Sequence, residues 1–216
     1  MAFPTTGILD SFNRADENPL VTASNGDSWQ SLPGAGGLGV TALAVVSNIC
    51  VGNGGVGSNM YLDHVFNADC EAYVTITGLG STNNVVELFF RLVDIGTVTA
   101  VDGYILRWTN VSGTDTIRLN RLDNLGETTL ATFNQEVTAG DSIGARIIGT
   151  GLEAFYKPSA GAWTSLGTAS DATYASGGRI AVTLIGTPTV DSFGGGSYVP
   201  PSVIPRVIWH LRQQGN

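Results

Sequence analysis

Three residues with the chemistry to contact a sugar stand at two-residue steps in the apolar segment VVELFFRLV. Glu87, Phe89 and Arg91 are each separated by one residue, so a β-strand would place all three on one face. Together they offer a carboxylate, an aromatic plane and a guanidinium, a mixture that suits a carbohydrate. Three further hydrogen-bonding residues fall on the neighbouring predicted strands. The predicted carbohydrate-binding set is Glu87, Phe89, Arg91, Arg107, Arg118 and Asn120.

An alternative interpretation of the same residues stays open. They would equally form a salt-bridged, solvent-facing surface of a sheet with Phe89 half covered. Trp108 and Trp163 are further candidates for stacking on a sugar, although packing in a core or at a sheet edge is the simpler role for both.

The carboxylates of this sequence are not arranged for glycoside hydrolysis. A retaining hydrolase needs two carboxyl groups about 5 to 5.5 Å apart, and no run of the form E-x-D-x-E supplies them on one strand. Arg91 would lower the pKa of the Glu87 carboxyl, whereas a general acid needs a raised pKa. The motif G-x-S-x-G is absent, and neither His64 nor His210 has a Ser or Cys partner in sequence. We therefore expect that the protein is not an enzyme.

The charge balance argues against a nucleic-acid partner. The chain of 216 residues has a net charge of −8, and its only lysine is Lys157. A protein that binds nucleic acid needs a basic surface for the phosphates. Charged residues make up 13% of the chain, which is about half the usual share, so the polar surface is built mainly from uncharged residues.

No segment is apolar enough to cross a membrane, since the densest apolar run carries Glu87 and Arg91. The first ten residues have neither the basic region nor the apolar core of a secretion signal, so we expect the protein to be made and left in a cytoplasm. Cys50 and Cys70 are then expected as two buried free thiols, with a disulfide between them as the open alternative.

Alternation of apolar and polar residues with a period of two predicts an all-β fold. Strand candidates recur at short intervals, and no helical period persists. Four of them, at 85–94, 104–109, 116–122 and 128–133, predict an antiparallel meander, and the sequence GTG at 149–151 predicts a hairpin. A total of about 12 to 13 strands is too many for one flat sheet and predicts two packed sheets.

The two ends of the chain are predicted to meet. Residues 177–196 alternate like a strand, a turn and a second strand that together close a sheet. The triplet Asp-Ser-Phe occurs at 10–12 and again at 191–193. The repeat predicts that the first and last strands lie side by side.

The order of several short motifs resembles that of one known fold family. The motifs are D-x-F-x-R-A-D at 10–16, D-C-E at 69–71, G-D at 140–141, G-x-G-L-x-A-x-Y at 149–156 and the closing G-G-R-I-A with D-S-F-G-G. In this order they resemble the concanavalin A-like lectin/glucanase sandwiches of the laminin-G-like type, in the form found in bacteriophage virion proteins. The resemblance covers residues 7–196. It implies a two-sheet antiparallel jelly-roll sandwich at 1–196, followed by an extended C-terminal arm at 197–216.

The resemblance also implies a metal site. Members of this family frequently hold a structural calcium near the paired first and last strands, which makes Asp191 and Asp10 candidate ligands. Capping and hydrogen bonding are the alternative roles of these aspartates.

Residues 197–216 differ in character from the rest of the chain. They contain two arginines and no acid, so they carry a charge of +2 and leave −10 for the rest. Three prolines favour an extended backbone, and the apolar cluster after them would be unfavourable if exposed in a monomer. We expect this arm to dock on a neighbouring subunit or another virion protein; packing on its own domain is the alternative. The predicted docking residues are Val207, Ile208, Trp209 and Leu211.

The resemblance makes a structural protein of a phage-like virion the first expectation. It would be a capsid decoration, fibre or tail-associated protein with a lectin-like domain, in contact with other virion proteins and with copies of itself. It would be assembled in the host cytoplasm and located in the virion. The alternative is a receptor-recognition module that binds a host surface polysaccharide.

Overall fold

The structure is a computed structural model that describes residues 2–31, 40–53, 57–96 and 100–200. Within this part of the chain sixteen strands form two eight-stranded sheets, and there is no helix. Sheet 1 contains β1 (Ile8–Asp10), β4 (Leu43–Val46), β5 (Ile49–Gly52), β7 (Cys70–Gly78), β12 (Ser142–Ile148), β13 (Gly151–Lys157), β14 (Thr164–Ser170) and β16 (Thr189–Ser197). Sheet 2 contains β2 (Trp29–Gln30), β3 (Val40–Thr41), β6 (Gly57–Leu62), β8 (Val85–Val93), β9 (Asp102–Thr109), β10 (Thr116–Asp123), β11 (Gly126–Asn134) and β15 (Arg179–Ile185).

The strand order is that of two packed antiparallel sheets. Sheet 1 runs β14-β13-β12-β7-β16-β5-β4, with β1 on β16, and sheet 2 runs β11-β10-β9-β8-β15-β6-β2, with β3 on β6. Among the described pairs only β3 and β6 are parallel. The predicted all-β, two-sheet jelly-roll sandwich is therefore confirmed.

The middle of the chain folds as its sequence pattern predicts. Strands β8, β9, β10 and β11 are successive neighbours in sheet 2, which is the expected antiparallel meander. The predicted hairpin at 149–151 joins β12 to β13. Gly149 has a φ of 56° there, a left-handed conformation that glycine adopts at little cost.

The last two strands do not close one sheet together, so that prediction is wrong. β15 lies between β8 and β6 in sheet 2, whereas β16 lies between β7 and β5 in sheet 1. The chain crosses from one sheet to the other at Gly186, where φ is 85°. Each strand takes a central place in its own sheet, and one face of each faces the core between the sheets.

The first and last strands lie side by side, as the repeated triplet predicts. β1 pairs antiparallel with β16, and Asp10 stands opposite Phe193. Phe12 and Phe193 are both fully buried and both contact Trp29 through their rings. The repeated triplets therefore place two phenylalanines on one tryptophan in the core.

The core fills the space between the two sheets. Inward-facing residues from nearly every strand contribute to it, because alternate side chains of each strand point to the same face. Burial of such side chains stabilises the fold by about 1.5 to 3 kcal/mol each. The largest fully buried apolar side chains are Trp108, Tyr104, Phe12, Phe90, Phe193, Leu20, Leu43, Leu62, Ile76, Leu88 and Leu92.

The two cysteines are buried free thiols, as expected. Cys50 lies on β5 opposite Val190, and Cys70 begins β7 opposite Ser197. Burial raises the pKa of both thiols, that of Cys70 to about 12. Within the described residues no helix is long and apolar enough to span a membrane.

The sandwich extends slightly beyond the predicted boundary at Gly196. β16 continues to Ser197, and Tyr198 is buried and donates its backbone N–H to the Asp69 carbonyl at 2.8 Å. The predicted docking cluster lies at 207–211, outside the described residues. Its members Val207, Ile208, Trp209 and Leu211 therefore stay predictions from the sequence.

Candidate functional site

The outer face of sheet 2 carries a row of polar side chains that crosses five adjacent strands. In order from β6 to β10 the members of this polar row are Asn59, Thr183, Glu87, Arg107 and Arg118. Each member stands directly opposite the next across a strand pair. The residues that alternate with them, such as Leu88 and Leu106, are part of the core. The row therefore faces away from the core.

Arg107 links two carboxylates on this face. Its Nε donates to Glu87 Oε1 at 2.7 Å, and its Nη2 contacts Glu87 Oε1 and lies 2.7 Å from Glu127 Oε1. Glu87 is only 4% exposed. Its pKa is raised, because burial of the carboxylate outweighs the opposing effect of Arg107. The expectation of a lowered pKa for Glu87 is therefore wrong, although the cation beside the carboxylate, Arg107 rather than Arg91, does oppose the rise.

Two buried amide oxygens on the same face lack a partner. Asn120 donates from Nδ2 to Glu127 Oε2 at 2.6 Å, which fixes its Oδ1 as an acceptor. Neither Asn120 Oδ1 nor Asn59 Oδ1 accepts a hydrogen bond within the part of the chain that the structure describes. Buried polar atoms are nearly always paired, so these two acceptors point to a water molecule or a ligand with donor groups.

Arg118 differs from Arg107 although the two stand opposite each other. Its side chain is partly exposed, and it makes no hydrogen bond or ion pair with any described residue. Arg118 is therefore available to a ligand from outside the chain.

Phe89 is not the aromatic platform that the sequence suggests. It points to the outer face but is only 8% exposed, in a small cluster with Tyr61, Ile105 and Leu122. Val101, from the segment between β8 and β9, is fully buried in the same cluster. Phe89 therefore supports the sheet beside the polar row and offers no open ring.

The two tryptophans proposed for stacking are also packed. Trp108 lies in the core and donates Nε1–H to Asp115 Oδ2 at 2.9 Å. Trp163 is partly buried on the other sheet, where its ring meets Phe3 edge to face. The simpler packing role is therefore the one observed for both.

Arg91 does not share the face of Glu87 and Phe89, which corrects the sequence-based set. The pairing of β8 with β9 slips after Phe90, and Arg91 adopts a φ of 51°. This bulge turns Phe90 and Arg91 both inward. Arg91 is 1% exposed, and its guanidinium donates to the carbonyls of Ala68, Tyr174 and Gly149 at 2.6 to 2.8 Å.

Asp10 is a buried carboxylate whose two oxygens are fully engaged. Five donors lie 2.7 to 3.2 Å from them: Phe12 N, Arg14 Nη1, Arg14 Nη2, Ser24 Oγ and Trp29 Nε1. A calcium ion at Asp10 would have to displace the guanidinium and the indole N–H. Asp10 therefore does not fit a calcium ligand, and the hydrogen-bonding alternative describes it.

Asp191 lies near Asp10 and is only partly buried. Burial raises its pKa, with a smaller contribution from the charge of Asp10, and its Oδ1 accepts the Ser192 N–H at 2.6 Å. In the described ranges no group of three or more His, Cys, Asp or Glu side chains could hold a metal ion. Calcium at Asp191 stays a prediction.

The outer face of sheet 1 is covered by the chain's own first residues, which the sequence pattern did not reveal. Phe3 stacks on Phe155 with ring centroids 3.9 Å apart and an interplanar angle of 3°. The guanidinium of Arg146 lies over both rings, 5.8 and 5.2 Å from their centroids, and donates to the Ala2 carbonyl at 2.9 Å. We call residues 2–6 the N-terminal cover.

Glu71 anchors this cover. It is fully buried on β7, and its Oε1 accepts hydrogen bonds from the backbone N–H and the hydroxyl of both Thr5 and Thr6. The carboxylate is thus held mainly by uncharged donors, with Arg146 Nη1 4.0 Å from its Oε2. The cover occupies part of the outer face of sheet 1, and a pocket lies beside it, lined by Arg146, Ile148, Gly151, Leu152, Glu153 and Thr168.

No protein-family model matches the sequence, and no curated protein sequence matches it. Solved structures match it through the fold. A carbohydrate-binding module, CBM66 of Bacillus subtilis, shares 12% identity over 78% of this chain and 95% of its own, with a TM-score of 0.59. A prokaryotic β-1,3-1,4-glucanase (lichenase) from a mouse hindgut metagenome shares 10% identity over 88% and 98%, with a TM-score of 0.61.

The luminal domain of the lectin VIP36, solved with Ca²⁺ and Man3GlcNAc, shares 10% identity over 76% of this chain and 84% of its own, with a TM-score of 0.60. These structures are concanavalin A-like lectin/glucanase sandwiches, so the resemblance stated from the sequence is confirmed for the fold. At sequence identities this low, the shared fold does not establish a shared function.

The comparisons overturn the expectation that the protein is not an enzyme. A glucanase shares the fold with a lectin domain and a binding module, so the fold admits catalysis as well as binding. The raised pKa of Glu87 also removes one of the chemical grounds for that expectation.

Proposed function

We propose that this protein binds carbohydrate through the outer face of sheet 2. The observation that carries the proposal is the pair of buried acceptors without donors, Asn59 Oδ1 and Asn120 Oδ1, on the face of the polar row. Both oxygens are enclosed by protein atoms, so a sugar hydroxyl would reach them through a bridging water molecule.

The polar row has the composition of a hydroxyl-binding surface. It combines a carboxylate, two guanidiniums, an amide and a hydroxyl on adjacent strands. Five neighbouring strands span about 19 Å at the usual strand spacing, which suits an extended ligand. The ion pairs of Arg107 with Glu87 and Glu127 hold these side chains in place before a ligand arrives.

The fold of the neighbouring structures supports the same proposal. A carbohydrate-binding module and a lectin domain solved with Man3GlcNAc have the sandwich seen here. Glycan recognition is a function that this sandwich performs in other proteins, and the polar row supplies a place for it.

A glycan array followed by calorimetric titration tests the proposal. We expect saturable binding to at least one polysaccharide, and we expect Asn120→Ala to weaken it about 2- to 12-fold, the range for one neutral hydrogen bond. Asn13→Ala, at an exposed position just after β1 of sheet 1, is the matched control and should bind normally. The absence of saturable binding to any glycan would contradict the proposal. Chromatography of the incubated glycans shows whether they are also cleaved.

We also propose that the protein works in a phage-like virion, where the glycan is a host surface polysaccharide. The order of sequence motifs supports this setting, and the basic, proline-containing segment after the sandwich supports docking on copies of the chain or on other virion proteins. A chain ending at Pro200 keeps the whole described sandwich. We expect it to fold with unchanged circular dichroism and to be lost from purified particles; normal incorporation would refute the docking role.

A further inference from the structure

We infer that the glycan bound at the polar row is anionic and that Arg118 contacts its acidic group. The inference rests on the proposed carbohydrate-binding function and adds the chemical class of the ligand. Carboxylate, sulfate and phosphate groups all present the charged oxygens that a guanidinium binds in pairs.

The first support is the pairing of the arginines. Seven arginines lie in the described residues, and six of them are within 4.0 Å of a carboxylate oxygen: Arg14, Arg91, Arg107, Arg121, Arg146 and Arg179. Arg118 is the seventh and has no such partner among the described residues. The chain has 18 acidic and 10 basic residues, so a shortage of acids does not explain the exception.

The second support is what surrounds Arg118. Its cross-strand neighbours are Arg107 on β9 and Thr132 on β11, and its same-face neighbours along β10 are Thr116 and Asn120. Arg118 thus has one cation and three uncharged polar residues as its nearest neighbours on this face, and no carboxylate stands directly opposite it.

The third support is that the nearby carboxylates already have hydrogen-bond and ion-pair partners other than Arg118. Glu87 and Glu127 both lie on Arg107, and Glu127 also accepts from Asn120. Arg107 therefore has two carboxylate partners, and Arg118 is the guanidinium of the polar row that is left for a ligand. Thr132, exposed beside it, adds a hydroxyl for the neutral part of a sugar.

Matched pairs of glycans test the inference. Each pair has one backbone in an acidic and a neutral form: polygalacturonate and its methyl ester, a sulfated glycan and its desulfated form, and a phosphorylated glycan and its dephosphorylated form. We expect one acidic form to bind at least about tenfold more tightly than its neutral partner, as for one charge-assisted hydrogen bond. The three pairs separate carboxylate, sulfate and phosphate as the source of the charge.

Two variants assign the preference to a residue. Arg118→Ala should remove the preference for the acidic form, so that the acidic and neutral forms bind equally. Lys157→Ala removes one positive charge from β13 of sheet 1 and should keep the preference. Arg118→Gln repeats the test with a polar side chain of similar length, and circular dichroism confirms that each variant is folded.

The outcomes separate this inference from the proposed function. Equal binding of acidic and neutral forms, or a preference that survives in Arg118→Ala, overturns the inference and leaves carbohydrate binding standing. Failure to bind any glycan overturns both. Equally tight binding of a DNA oligonucleotide of matched charge would show a general polyanion surface and would also overturn the inference.

Discussion

The two outer faces of this sandwich differ in what completes them. The face of sheet 1 is completed by the chain itself, since the N-terminal cover places Phe3 on Phe155 and the two threonines on Glu71. The face of sheet 2 keeps an arginine and two amide oxygens without partners among the described residues. One outer face is thus covered by the chain's own first residues, with Glu71 Oε2 beneath them also lacking a hydrogen-bond partner in the described chain, whereas the other face keeps three unpaired groups.

The two faces also treat a buried glutamate differently. Glu71 on sheet 1 is held by four uncharged donors from adjacent residues of the cover, whereas Glu87 on sheet 2 depends on one arginine. The loss of unfolding free energy on disrupting the cover or removing Arg107 should therefore show how strongly each face stabilises its buried carboxylate.

The largest effect is expected from opening the covered face. Phe3→Ala should lower the free energy of unfolding by about 3 kcal/mol, because it leaves a cavity over Phe155 and removes the stacking surface of Arg146. Urea denaturation measures this. Val21→Ala, at a side chain that is 56% exposed, is the control and should change little. A loss as small as that of the control would mean that the N-terminal cover is not part of the stable fold.

The next effect separates a largely buried ion pair from a more exposed one, both on sheet 2. Arg107→Ala should lower the free energy of unfolding by about 2 kcal/mol, because the buried carboxylate of Glu87 loses its cation, while partial exposure of Arg107 moderates the loss. Arg179→Ala breaks a more exposed pair with Asp63 and should cost less than about 1 kcal/mol. Equal losses in urea denaturation would contradict the distinction between these pairs.

A smaller effect concerns pH. The pKa of Glu87 is raised in the folded protein, so the unfolded chain releases this proton first as the pH rises. Wild type should therefore lose stability relative to Glu87→Gln as the pH increases from below the ordinary glutamate pKa towards neutrality. Urea denaturation of both proteins across this range measures the difference. A difference that grows in the opposite direction would show that Arg107, and not burial, dominates.

The smallest effect on stability is expected at Arg118 itself. Arg118→Ala should change the free energy of unfolding by less than about 0.5 kcal/mol, because the side chain has no partner to lose within the described chain. A loss comparable to that of Arg107→Ala would show that Arg118 is structural and would weaken its assignment to a ligand.

The meander and much of the site were predictable because both depend on simple alternation. Glu87, Arg107, Arg118 and Asn120 follow the period of two along three adjacent strands, and the structure brings all four to one face. Asn59 was missed although it follows the same rule, because the glycines at 52, 54, 55 and 57 precede it and are typical of a turn.

Arg91 could not be placed by alternation, because a bulge shifts the period by one residue. Glycines opposite the bulge are the available signal. Gly103 and Gly178 sit where an added Cβ would lie 2.8 Å from the Phe90 carbonyl oxygen and 2.5 Å from the Arg91 carbonyl carbon. The N-terminal cover shows no alternation of apolar and polar residues either. Its residues form no strand and contact sheet 1 through individual groups.

The central positions of β15 and β16 set the order in which this molecule can be made. β15 joins β8 to β6 in one sheet, and β16 joins β7 to β5 in the other. A chain emerging from the ribosome therefore holds each sheet as two separate halves until residues 179–197 appear. Until then the strands on either side present unpaired edges, which are prone to pair with other chains. Synthesis that stalls before residue 179 should thus yield aggregation-prone fragments, whereas completion of these two strands closes both sheets almost together.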